Sequence, residues 1–321
     1  MLAVLAAILP SCGALRSPAA RVGGREITDD QIAHDSRILT ALASIAQQTC
    51  VPPIPREDAA TSCNRATLAS LIRDGVIADY ARANGLEADP AEVDSIVADL
   101  QDSFGGADVL AGAGVTEADL RTFAVRFALR RAVGESVGAE AVSAEDVRAI
   151  YDRDILQFTV IHAEHILLPT EQLADEVYAI ASVPRFSEED FLALAGERSI
   201  DPNAATDSGD LGELPATGLD AAFVGAALAL EPGQVSLPVQ TQYGWHVIRL
   251  VSKNTTPFER LQADLERQAR SDAFDAWLAD RLHDADVEVN PKYGRWDPDN
   301  AVISTISSTA RGEPAPSPAP S

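Results

Sequence analysis

The sequence predicts an α+β chain in which a small α+β domain is inserted into a mostly α-helical module. Three observations predict it. Apolar residues recur with a helical period from Thr28 to Asp154, and the period changes to that of a strand at Phe158. The elements after Phe158 read β-α-α-β-α-β-β, the order of an antiparallel-rich sheet covered by helices. A long amphipathic helix then follows, and its apolar stripe needs a partner that the N-terminal helices can supply.

At the start, Met1 to Leu9 is nearly all apolar and is followed by Pro10, Ser11 and Cys12. An apolar run before small residues marks a secretory signal. It is too short for a transmembrane helix, which needs about 20 apolar residues. The Leu-x-Ser-Cys ending resembles a bacterial lipobox. Residues 1–12 are therefore expected to be a signal peptide with lipobox, and Cys12 to carry the lipid that anchors the chain to a membrane. One acyl chain alone binds only marginally, so more than one is expected. The other two cysteines, Cys50 and Cys63, flank a short Pro-rich loop. In an oxidising compartment such a pair reads as a disulfide. A zinc site would need a nearby His or a second Cys pair.

Residues 22–154 read as an N-terminal helical domain. Val22-Gly-Gly-Arg-Glu-Ile27 is a compact extended stretch with a Gly-Gly turn, expected as an edge strand. Thr28 and Gln31 make a capping box for a helix with Ile32, Ile38, Leu39, Leu42 and Ile45 on one stripe. A second helix is expected from about Arg65 to Ala83, stopped by Gly85. Asp89-Pro90 starts a third, which runs to Gly105-Gly106. Thr116 starts a fourth through Leu120, Phe123, Phe127 and Leu129, and Ser143 caps a fifth that ends near Asp154. These helices hold no cluster of His, Cys or paired carboxylates. They are a packing module or a surface for unfolded chains.

Residues 158–253 read as the inserted domain. A strand runs from Phe158 through His165 to Leu168. Two helices follow, then a turn-rich stretch from Asp201 to Gly212. A helix from Leu219 to Leu230 precedes strands at Val235–Val239 and Trp245–Val251. Residues 254–296 supply the long helix, the Val287-Glu-Val289 strand and the Asn290-Pro291 turn, and are expected to pack on the N-terminal domain. Residues 303–321 are rich in Ser, Ala and Pro and read as a disordered tail.

The formal net charge is −24, and Lys occurs only at Lys253 and Lys292. That excludes phosphate-directed nucleic-acid binding, which needs basic patches. It also disfavours adsorption to anionic lipid by charge.

The chemistry-bearing residues gather in the inserted domain. They are His165-Ile-Leu, Ser208-Gly-Asp-Leu-Gly212, Phe223 and Thr241-Gln-Tyr-Gly-Trp-His246. In order and spacing this set resembles parvulin-type peptidyl-prolyl isomerases. The departure is Ser208, which stands where the family has the first of two glycines; a small residue is tolerated there unless the backbone needs positive φ. The flanks, Val22-Gly-Gly-Arg-Glu-Ile-Thr28 and Trp277-Leu-Ala-Asp-Arg-Leu with Val287-Glu-Val-Asn-Pro291, resemble extracytoplasmic foldases of the SurA and PrsA kind.

The resemblance implies a parvulin-like α+β domain in a SurA/PrsA-type helical chaperone module. It implies catalytic roles for His165, His246 and Asp201, with Thr241 and Tyr243 on the rim. It implies that Leu211, Leu219 and Phe223 form the proline pocket. No metal or cofactor is required. The implied partners are unfolded exported polypeptides with X-Pro bonds, met outside the cytoplasm at a membrane. The competing reading is a holdase whose parvulin domain is inactive or secondary. Taken singly, each histidine is an ordinary strand residue, and Asp201-Pro202 is also a good turn starter. His34, His162 and His283 read as surface or core residues.

Overall fold

The computed structural model describes residues 17–52 and 57–305. Cys12 and most of the expected tail lie outside the described residues. The chain forms two compact units, Met1–Ala141 with Arg270–Ser321, and Val142–Ala269.

In the first unit, β1 (Ala20–Val22) and β2 (Arg25–Ile27) pair antiparallel. The stretch expected as one edge strand is thus a hairpin. Its turn is Gly23-Gly24, with φ +52° and +86°, a backbone that glycine adopts without steric cost. Helix α1 (Asp29–Ile45) starts at the Thr28/Gln31 capping box. Helix α2 (Ala59–Asn84) begins earlier than expected, because Asp58 accepts from the Thr61 N–H as its N-cap, and it ends at left-handed Gly85. Cys63 on α2 is bridged to Cys50. Helix α3 (Pro90–Ser103) follows its Asp-Pro start. A short α4 (Ala107–Gly112), not expected, precedes α5 (Glu117–Ala141).

The second unit opens with α6 (Ala144–Arg153), capped by Ser143 and Asp146. Its sheet holds β3 (Thr159–Leu168), β4 (Asp210–Pro215), β5 (Val239–Thr241) and β6 (Gly244–Thr255), in the order β4-β3-β6-β5 with every pairing antiparallel. Helices α7 (Glu171–Ala181) and α8 (Glu188–Arg198) cover one face through Val177 and Phe191, packed on Ile166, Leu168 and Val247. A one-turn α9 (Ala204–Asp207) leads into β4. Helix α10 (Ala221–Leu228) covers the other face, with Phe223 and Ala227 on Ile161, Ala163, Ile248 and Leu250. The register shifts between His162 and Ala163, where Val251 of β6 is the extra, bulged residue opposite β3. The strand expected at Val235–Val239 starts only at its last residue. Pro238 has no N–H to give to a ladder, and the Ile248 N–H is taken by the Ser236 hydroxyl instead of a carbonyl.

Helix α11 (Phe258–Asp284) carries the chain back into the first unit. There Phe274, Leu278 and Leu282 are buried with Leu68, Ile72, Ile77, Val133 and Val137. Strand β7 (Val287–Val289) pairs with β1. Strands β8 (Arg295–Asp297) and β9 (Val302–Ser304) form a hairpin that buries Ile303. Ordered structure therefore continues past residue 303, where a disordered tail was expected to begin. The cause is that Val302 and Ile303 pair with β8 and Ile303 is buried before the Ser/Pro composition takes over. Among the described residues no helix is long and apolar enough to cross a membrane.

Candidate active site

The strand period puts His165 and Leu167 on one face of β3, and the antiparallel register places His246 of β6 opposite Leu167. The two imidazoles are thereby diagonal neighbours. Their Nδ1 atoms are 3.1 Å apart and the rings stack at 5.3 Å with 22° between planes. Both residues are only 5% exposed. His165 Nε2 lies 2.9 Å from Asp201 Oδ2, and His246 Nε2 lies 2.8 Å from Thr241 Oγ1.

These partners fix the tautomers. The Asp201 carboxylate only accepts, so His165 carries its proton on Nε2. Its bare Nδ1 then accepts from the Nδ1–H of His246. His246 Nε2 in turn accepts from the Thr241 hydroxyl, whose oxygen accepts the Tyr243 N–H at 3.1 Å. The result is a directed chain from Tyr243 through Thr241, His246 and His165 to Asp201. Burial holds the His165 pKa below its usual value against the pull of Asp201. Burial, with His165 alongside, lowers His246 to about 4. Both rings are neutral at pH 7, as the chain of bonds requires.

Asp201 is fixed from both sides. Its Oδ1 accepts the Asn203 N–H at 2.8 Å. The Ser199 hydroxyl accepts the N–H groups of Asp201 and of Leu167, tying this loop to β3. On the other side, Phe223 is 4% exposed and stands edge-on to His246 at 5.4 Å and to His165 at 6.1 Å.

Above these groups opens a cleft of about 400 Å³. It is lined by all eight residues singled out in the sequence, namely His165, Asp201, Leu211, Leu219, Phe223, Thr241, Tyr243 and His246. Tyr243 is 68% exposed and forms the outer rim. Leu167, Pro202 and Asp220 line it as well and were not singled out. Leu167 was findable, since it lies two residues from His165 on the same strand. Asp220 falls inside the helix expected from Leu219 and is its N-cap in the structure.

The Ser208-Gly-Asp-Leu-Gly212 turn backs His165 and contributes Leu211 to the cleft. The Gly209 carbonyl accepts the His165 N–H at 2.8 Å. Gly209 has φ +80°, and a Cβ there would sit 2.3 Å from the His165 carbonyl oxygen, so only glycine lets the turn approach the strand this closely. Ser208 has φ +55°, the left-handed conformation that a second glycine would take without strain. Asp210 does not line the cleft: its Oδ1 accepts the Gly212 N–H and pairs with His162 Nε2, both at 2.8 Å. His34 and His283 pair with Asp119 and Asp299 in the other unit. Among the described residues no three His, Cys, Asp or Glu side chains converge as a metal site.

An apolar cleft floored by a histidine pair and walled by a phenylalanine, on a four-stranded antiparallel sheet, defines a parvulin-type rotamase domain. Residues 165–252 match the PPIC-type PPIase domain (Rotamase) family model. Three relatives place the chain more closely. The foldase protein PrsA of Caldanaerobacter subterraneus subsp. tengcongensis is 36% identical over 131 residues, 41% of this chain and 42% of that protein. PrsA of Clostridium tetani is 26% identical over 278 residues, 81% of this chain and 80% of that protein. The chaperone SurA of Shigella dysenteriae is 31% identical over 169 residues, 49% of this chain and 39% of that protein. Residues 165–252 thus form a PPIC-type peptidyl-prolyl cis–trans isomerase domain, and the chain is similar to PrsA over about four fifths of its length.

Proposed function

We propose that this protein is a foldase that isomerises X-Pro bonds in exported polypeptides outside the cytoplasm, held at a membrane by lipid on Cys12. The observation that carries the catalytic part is the chain of hydrogen bonds from Thr241 through both histidines to Asp201, set beneath an apolar cleft. In this reading residues 158–253 do the chemistry, and residues 22–154 with 254–296 form the helical chaperone module.

The prolyl amide barrier is about 18–20 kcal/mol, and uncatalysed exchange takes tens to hundreds of seconds. Shortening it to tens of milliseconds requires removing about 4 kcal/mol. No bond is broken; the amide must only lose its resonance. Leu211, Leu219 and Phe223 hold the prolyl ring. Asp201 lies beside the susceptible carbonyl. The planar amide places negative charge on that oxygen, and a fixed carboxylate nearby disfavours it, so the twisted amide is favoured relative to the planar one. All four ring nitrogens of the histidines are engaged within the protein. The imidazoles therefore position Asp201 and Thr241 and do not themselves donate to the substrate. No step in this scheme calls for a metal or cofactor.

A second reading has its own support. Val109, Val125 and Phe127 of the helical unit are exposed large apolar residues, Phe127 at 57%, and such residues suit a holdase for unfolded chains. Refolding of an exported protein limited by a trans-to-cis prolyl step separates the two. The isomerase shortens the slow phase and a variant with both His165 and His246 replaced does not. If both versions suppress aggregation equally and neither shortens the slow phase, the protein works as a holdase.

A further inference from the structure

The cleft carries negative charge and no positive charge of its own. Asp201 and Asp220 line it, and no Lys or Arg does. Asp201 has a structural partner for each oxygen, the His165 ring and the Asn203 N–H. Asp220 differs. Its Oδ1 caps α10 by accepting the Ala222 N–H at 2.9 Å, and no ion pair to Asp220 occurs among the described residues. An N-cap needs only an accepting side chain, which Asn, Ser or Thr would supply as well. The negative charge is thus surplus to the helix.

Its placement gives that charge a use. Leu219 precedes it and Phe223 lies within the first turn of the same helix, and both line the pocket proposed for the prolyl ring. A long cationic side chain can lay its methylene stem along such apolar groups and bring its head to the carboxylate. The pull of Asp220 on the His246 ring shows that its field reaches the cleft floor.

We propose that Asp220 makes this cleft select a Lys or Arg side chain immediately before the bound proline and reject Asp or Glu there. This rests on the isomerase reading of the cleft. The net charge of −24 acts in the same direction, by attracting cationic segments to the whole molecule.

The test uses the full chain and two tetrapeptides, Ala-Lys-Pro-Phe and Ala-Glu-Pro-Phe. Binding is followed by amide shifts of Phe223 and Thr241, and isomerisation by kcat/KM. The Lys peptide is expected to bind about fivefold tighter at low salt, the upper end of what a partly exposed charge pair gives. Added salt should narrow the ratio. In Asp220→Asn, which keeps the cap, the ratio should fall towards one. Equal binding of the two peptides by the wild-type chain overturns the proposal, as does binding of neither, or a Lys preference that survives in Asp220→Asn. The preference read from binding is independent of turnover. Selective binding without isomerisation upholds Asp220 and refutes the enzyme, whereas equal turnover of both peptides with equal binding upholds the enzyme and refutes Asp220.

Discussion

Protonating His246 should destabilise the second unit, and the size of the effect follows from its burial. Its imidazole is 5% exposed, and its pKa falls from 6.5 to about 4, chiefly through burial. The folded-state value lies below the unfolded one. The stabilisation is therefore fully present above pH 6.5 and is lost as pH falls towards 4. Across that window the unfolded chain binds one more proton than the folded chain at this site, which adds about 1.4 kcal/mol per pH unit to the slope of stability against pH. Over the whole window the loss is about 3 kcal/mol, a large share of a typical domain's stability. Carboxylates also titrate there, so a matched variant is needed. His246→Asn keeps an N–H for His165 Nδ1 but cannot titrate. Urea unfolding followed through the amides of β6, from pH 4.5 to 6.5, should give a slope shallower by about 1.4 kcal/mol per pH unit in the variant. Equal slopes in the two proteins would refute a neutral, buried His246.

Other outcomes follow from the same geometry. Glu164 is 1% exposed and faces Arg249 across the β3–β6 pair at 3.0 Å; Arg249→Met should cost about 3–5 kcal/mol by stranding that carboxyl, and Glu164→Leu in the same chain should recover most of it, both read by urea midpoint. Ser208→Gly should raise stability by about 0.5–1 kcal/mol, because the left-handed backbone at that site strains any side chain; a lower melting temperature would contradict it. Reducing the Cys50–Cys63 bridge, which closes a loop of 13 residues in sequence separation, should lower the stability of the first unit by about 3 kcal/mol. The second unit should melt unchanged in the same calorimetric trace.

Much of the fold was legible because local chemistry and tertiary structure agree. The Thr28/Gln31 and Ser143 starts, the Asp89-Pro90 start and the Gly85 stop act within a few residues of themselves. The change of period at Phe158 likewise marks β3. The features that were missed depend on contacts distant in sequence. The extra residues that β6 and β4 carry opposite His162–Glu164 are set by how both strands pair with β3. The Gly23-Gly24 hairpin is part of a three-stranded sheet because β7 arrives from the far end of the chain to pair with β1. In the cleft, His165, His246, Phe223 and Asp201 were visible as a spaced set. The direction of the hydrogen bonds was not, since it depends on Thr241 reaching His246 around the β5–β6 turn. Asp220 was invisible for a different reason: an aspartate before a helix is so ordinary that its charge draws no notice until the cleft beside it is seen.

In the proposed mechanism the cleft lowers the rotational barrier of a prolyl amide through the fixed carboxylate of Asp201. A protease-coupled isomerisation assay on a proline tetrapeptide, with the full chain and with Asp201→Asn, tests it directly. The wild-type chain should accelerate exchange in proportion to its concentration. Asp201→Asn, which still accepts from His165, should lose about 10- to 100-fold in kcat/KM, as expected for removing about 1.4–2.7 kcal/mol of transition-state stabilisation. No acceleration by the wild-type chain, or equal acceleration by both, would contradict the claim.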